Sequence, residues 1–157
     1  MMQVRHNLAF IVMTLGLYCA VTVFGQEKQL KKSDLPAAVQ KTAGEQSKGA
    51  TVKGYSQENE NGMVAYEVAL MVNGHSKDIT MDGLGNVTEV EEEVDVKSLP
   101  AEVREGLQTQ AGNASIGKVE SLTKRGILVA YEAQIRIGKK HSEIQVGPDG
   151  KALDHKE

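Results

Sequence analysis

The sequence predicts an α+β fold of two tandem repeats, each one helix packed on a four-stranded antiparallel sheet. Three observations carry this expectation. First, Asp34-Leu35-Pro36-Ala37-Ala38-Val39 is answered by Ser98-Leu99-Pro100-Ala101-Glu102-Val103, and Val64-Ala65-Tyr66-Glu67 by Val129-Ala130-Tyr131-Glu132, at offsets of 64 and 65 residues. Second, each copy opens with apolar residues at helical spacing and continues with runs of period 2. Third, Asn73-Gly74 joins two such runs and supplies the positive φ that a two-residue type I′ hairpin turn needs.

The chain begins differently. Arg5 and His6 precede the apolar run Leu8 to Met13, which continues to Leu17, and Val23-Phe24-Gly25 offers small or compact residues for a cut before Gln26. Residues 1–25 read as a secretory signal peptide. Two rivals remain open: an uncleaved anchor over Leu8 to Gly25, and a lipoprotein attached through Cys19. Cleavage removes the single cysteine, and the mature chain then has no disulfide framework and no thiolate ligand. Residues 26–33 are polar and read as a flexible lead-in.

Repeat one spans 34–97 and repeat two 98–157. In each, Asp34 or Ser98 is placed to cap the helix, with Pro36 or Pro100 in the first turn. Leu35, Ala38, Val39, Thr42 and Ala43 form one apolar stripe; Leu99, Val103, Gly106, Leu107 and Ala111 form the other. First strands are expected at Ala50 to Gln57 and Ser115 to Leu122. On the long strand Val64, Tyr66, Val68, Leu70 and Val72 face inward, as Val129, Tyr131, Ala133, Ile135 and Ile137 do in the second copy. Gly138-Lys139 replaces Asn-Gly at the second hairpin. Ile79 and Met81 are matched by Ile144 and Val146, and a glycine-rich turn leads to last strands at Val87 to Val94 and Ala152 to His155.

LPxxV at the helix start, a central strand carrying Tyr-Glu, a glycine-containing hairpin and an Asp-Gly turn together resemble the PepSY-like domains. In particular, the region Asp34 to His155 is similar to tandem PepSY-like proteins grouped with β-lactamase-inhibitor-type folds. That resemblance implies a periplasmic or secreted bacterial protein that inhibits or chaperones an extracytoplasmic enzyme. Inhibitors of this shape bind through aromatic-rich sheets, whereas this chain has no Trp, two Phe and four Tyr.

No residue set predicts an enzyme, since no nucleophile, base and orienting group recur together. No cofactor is implied. His75, His141 and His155 lack the spacing of a zinc site and read as solvated turn residues. Glu89, Glu91, Glu92, Glu93 and Asp95 read as a charged edge strand and linker, with cation or basic-partner binding as the rival. Glu67 and Glu132 occupy equivalent outward positions and read as a solvated face or cross-strand pair. A formal charge of −3 and the lack of a basic aromatic stripe argue against nucleic acid.

Charge and surface differ between the copies. From Asp34 to Val96 four lysines stand against twelve acids (−8), and from Lys97 to Glu157 ten bases against eight acids (+2), which favours packing side by side. Inward residues repeat while outward ones diverge. The expected partner-binding residues are therefore Met63, Ala65, Glu67, Ala69, Met71, Leu128, Ala130, Glu132 and Arg136, engaging a protein in the cell envelope or outside the cell. The same face could instead pack on the other repeat or on a second copy. No stable membrane insertion is expected after signal cleavage. The competing expectation is an envelope small-ligand or metal-sensing protein using the acidic strand and the hairpin histidines.

Overall fold

The computed structural model describes residues 27–60 and 62–157; the expected signal peptide lies outside them. The chain is α+β: two helices and one eight-stranded sheet whose strands follow in sequence order, every neighbouring pair antiparallel. The strands are β1 (Lys28–Leu30), β2 (Thr51–Glu60), β3 (Met63–Val72), β4 (His75–Asp82), β5 (Val87–Glu93), β6 (Ser115–Lys124), β7 (Ile127–Ile137) and β8 (Lys140–Val146). Helices α1 (Ala37–Gln46) and α2 (Ala101–Ala111) open the two copies. No helix among the described residues is long and apolar enough to cross a membrane.

The helix starts differ from expectation in one respect. Asp34 and Ser98 sit in short 3-10 turns, and Pro36 and Pro100 occupy the N-cap positions. The cause is local: a residue before proline is pushed out of the helical region, and Leu35 and Leu99 are extended with ψ of 149° and 150°. Gln40 and Arg104, at matching positions, donate side-chain hydrogen bonds to the Leu35 and Leu99 carbonyls at 2.9 and 2.6 Å. Both helices then lay an apolar stripe on the same side of the sheet. Leu35, Val39 and Ala43 pack on Val68, Leu70, Ile79 and Met81, while Leu99, Val103 and Leu107 pack on Val119, Ala133 and Val146.

Hairpin chemistry follows the residues present. Asn73 and Gly74 both have positive φ, as a type I′ turn requires, and Arg125-Gly126 repeats the solution between β6 and β7. At the β7–β8 turn positive φ is confined to Gly138, the first central residue. Two strand expectations change. Lys28–Leu30, within the polar lead-in, pairs with Tyr55 to Gln57, and Leu30 packs against the first core. The last strand expected at Ala152 to His155 is reduced to one bridge, Val146 with Ala152.

The two repeats join edge to edge through β5 and β6, where Glu89 lies opposite Lys124 and Glu93 opposite Glu120. The acidic strand is therefore internal, and its reading as an edge strand does not hold. At this seam Lys124 pairs with Glu89 at 3.8 Å, while the like-charged Glu93 and Glu120 also stand opposite each other.

Candidate functional site

The site is built by strand parity on the face opposite the helices. Cross-strand partners share a face, so the register lays out three rows. One runs Ser56, Glu67, Thr80, Glu89, Lys124; the next Gly54, Ala69, Asp78, Glu91, Leu122, Ala130; the third Glu93, Glu120, Glu132, Gln145. Seven carboxylates from β3 to β7 thus stand on one surface. Asp78 and Glu91 are directly opposed, a like-charge pair that sheets normally avoid.

Burial makes these groups unusual acids. The Glu67 carboxyl is raised to about 7 by burial first, then by Asp78, Glu27, Glu58 and Glu89. Glu91 is likewise raised to about 7 by burial, with Glu89, Glu120, Glu132 and Asp78 adding repulsion. Burial also raises Asp78; Glu120 pushes the same way and Lys118 opposes. Carboxylate oxygens of Asp78, Glu91 and Glu120 lie within 4.8 Å of one another. The Lys118 ammonium sits 2.7 Å from Glu120, and Ser76 donates from its backbone N–H (3.0 Å) and Oγ (3.2 Å) to Glu93. Such a cluster can take a divalent cation through oxygen ligands, or an ammonium or guanidinium group.

The C-terminal segment crosses the second half of this face. Lys156 lies 3.3 Å from Glu132 and 2.8 Å from Glu143, the Glu157 N–H donates to Gln145 at 2.8 Å, and the Glu157 carboxylate lies 3.6 Å from Lys124. The small or apolar floor beneath is shut from solvent, with Ala130 at 0% and Leu122 at 3% exposure.

The nine residues expected to bind a partner divide accordingly. Ala65, Glu67, Ala69 and Met71 on β3 share the helix-free face with Ala130 and Glu132 on β7. Met63 is 70% exposed at the end of β3, and Arg136 is exposed opposite Ser115 and His141. Leu128 departs: a register shift between Leu122 and Thr123 sets it opposite Thr123, in the row of the helix-side Val90. Such a bulge inserts one residue and re-aims the strand. Ala65 and Ala130 are buried and serve as floor rather than contact surface. Sequence reasoning did not find Asp78, Glu120, Glu143 and Lys156; the 65-residue offset relates Asp78 to Glu143 and is a signal that could have found this pair, but only the fold sets them beside Glu67 and Glu132. The histidines do not converge: His75 is 3.7 Å from Glu93, His141 pairs with Arg136 on the ladder, and His155 lies in the tail.

No family model and no curated protein matches the chain. Solved structures do. A DUF2874 family protein from Bacteroides ovatus superposes with a TM-score of 0.60 at 16% identity, covering 76% of this chain and 85% of its own. A BLIP-like protein from Bacteroides fragilis gives 0.57 at 20% identity, with 76% and 83% covered. A Bacteroides eggerthii protein taken to be periplasmic gives 0.62 at 14% identity, with 76% and 86% covered. The shared property is the fold.

Proposed function

We propose that this protein is an exported, non-enzymatic binding module whose helix-free sheet face engages a protein partner, in the manner of an inhibitor or modulator of an extracytoplasmic enzyme. The observation that carries the reading is the division of the sheet into two unlike faces. One is closed by two helices over aliphatic cores. The other carries seven carboxylates across five strands, with Met63 and Met71 along the first of them, and among the described residues only the C-terminal tail is seen to cross it. Methionine supplies adaptable contact area and the carboxylates supply selectivity. Export to the periplasm or outside the cell fits the leader-like N-terminus and the fold's likeness to proteins described as periplasmic or BLIP-like.

Site-specific photo-crosslinking tests it. A photoreactive residue at Met71 should give a discrete adduct in the native envelope, while the same group at Gln108 on α2 gives none. Adducts from Gln108 alone, or equally from both, would reject the face.

A second reading, divalent-cation binding, draws on the Asp78, Glu91 and Glu120 oxygens within 4.8 Å. Calorimetric titration with calcium separates the readings, because no heat at millimolar calcium removes this one.

A further inference from the structure

The duplication lets two versions of one site be compared within a single chain. In the second repeat Lys156 seats its ammonium between Glu132 and Glu143, and Gln145 donates an amide hydrogen to Glu132 at 2.7 Å. The offset of 65 places Glu67, Asp78 and Thr80 at the corresponding positions of the first repeat. The ladders agree. Gln134 opposes Glu143 as Ala69 opposes Asp78, and Glu132 opposes Gln145 as Glu67 opposes Thr80.

The first copy keeps the acids and has lost their partners. Thr80 carries a hydroxyl where Gln145 carries a side-chain amide, and among the described residues no ammonium or guanidinium bonds to Glu67 or Asp78. Lys118 on β6 favours the ionised Asp78 from a distance, but its ammonium is held by Glu120. The other groups bearing on the pair are acidic: Glu27 before β1, Glu58 on β2, Glu89 and Glu91 on β5, and Glu120 on β6. Ala69 and Met71 flank it on β3 and can cover the methylene stem of a long cationic side chain.

We propose that Glu67 and Asp78 form the seat for a lysine or arginine side chain of the docked protein partner, filled in trans as Lys156 fills its duplicate in cis. This rests on reading the helix-free face as the docking surface. Two partly buried carboxylates short of positive charge are stabilised by a cation that brings N–H donors with it. The raised carboxyls agree, since a proton substitutes for the missing cation near neutral pH.

The test is a titration of the full chain at low salt with an end-blocked pentalysine peptide, followed by NMR of the side-chain carboxyl carbons. Blocked pentaglutamine and calcium chloride serve as parallel arms. Saturable shifts at Glu67 and Asp78 are expected with pentalysine and none with pentaglutamine. E67Q/D78N should weaken binding at least tenfold without lowering the thermal midpoint, and Lys156→Ala should open a second set of shifts at Glu132 and Glu143. Silence with pentalysine, equal binding by E67Q/D78N, or shifts produced by calcium alone would overturn the seat. If Met71 still crosslinks a partner while E67Q/D78N captures it as well as the wild type, the seat fails and the docking face stands. If Met71 gives no adduct, the face itself fails.

Discussion

Glu67 and Glu91 hold their protons to about pH 7 because burial and neighbouring acids penalise their charge. The consequence for stability has a definite sign. Each binds more protons folded than unfolded between about 4.5 and 7, so stability falls as pH rises through that window and the penalty is complete above it. Both side chains keep solvent contact, which discounts the size of the effect. Glu67→Gln or Glu91→Gln should raise the melting midpoint at pH 8 by roughly 2–4 °C and leave it nearly unchanged at pH 4. Thermal scans at the two pH values check this, and an equal shift at both would mean the carboxyl titrates normally. Glycine supplies a second residue-scale case. Gly106 on α2 faces the backbone of Gly150, whose φ is +77°, and a Cβ on either would strike the other's neighbourhood. In repeat one the matching contact is a hydrogen bond from Thr42 Oγ1 to the Gly85 carbonyl, 2.8 Å. Gly106→Ala should therefore destabilise by about 1–3 kcal/mol, whereas an open helical site would gain about 1 kcal/mol from the same change. Urea unfolding measures the difference.

At the scale of elements, the helices, long strands and hairpins were legible because their signals are local. Period 2 in Val64 to Val72, period 3.6 after each Leu-Pro, and Asn-Gly at a turn act over a few residues. The boundaries shifted for an equally local reason, proline's restriction of Leu35 and Leu99. Other features depend on distant chain. Lys28–Leu30 has no strand pattern of its own and becomes β1 because the edge of β2 is open to it. The bulge that moves Leu128 out of the row of Ala130 is set by register between β6 and β7, which alternation in one strand cannot reveal. Glu89, Glu91 and Glu93 read as a solvated edge because nothing in their own stretch announces that β6 will pair beside them.

Over the whole molecule, duplication explains why the inner face repeats and the outer face does not. The two cores need the same apolar positions under the same helix, so Val68 with Leu70 and Ala133 with Val146 answer one requirement. On the outer face the repeats are free to differ, and they do at one pair of acids: Glu132 and Glu143 are satisfied by the chain's own Lys156, while Glu67 and Asp78 are not. The equivalence of Glu67 and Glu132 was visible in sequence, but the tail's return across β7 and β8 was not, since it is fixed only by tertiary contacts of the last few residues. The measurement that bears most directly on this account is an NMR pH titration of the Glu67 side-chain carboxyl in the intact chain, alone and with saturating pentalysine. The account predicts a midpoint near 7 that falls toward the ordinary carboxylate range when the peptide is bound. A midpoint near 4.5 in the free protein, unmoved by the peptide, would contradict it.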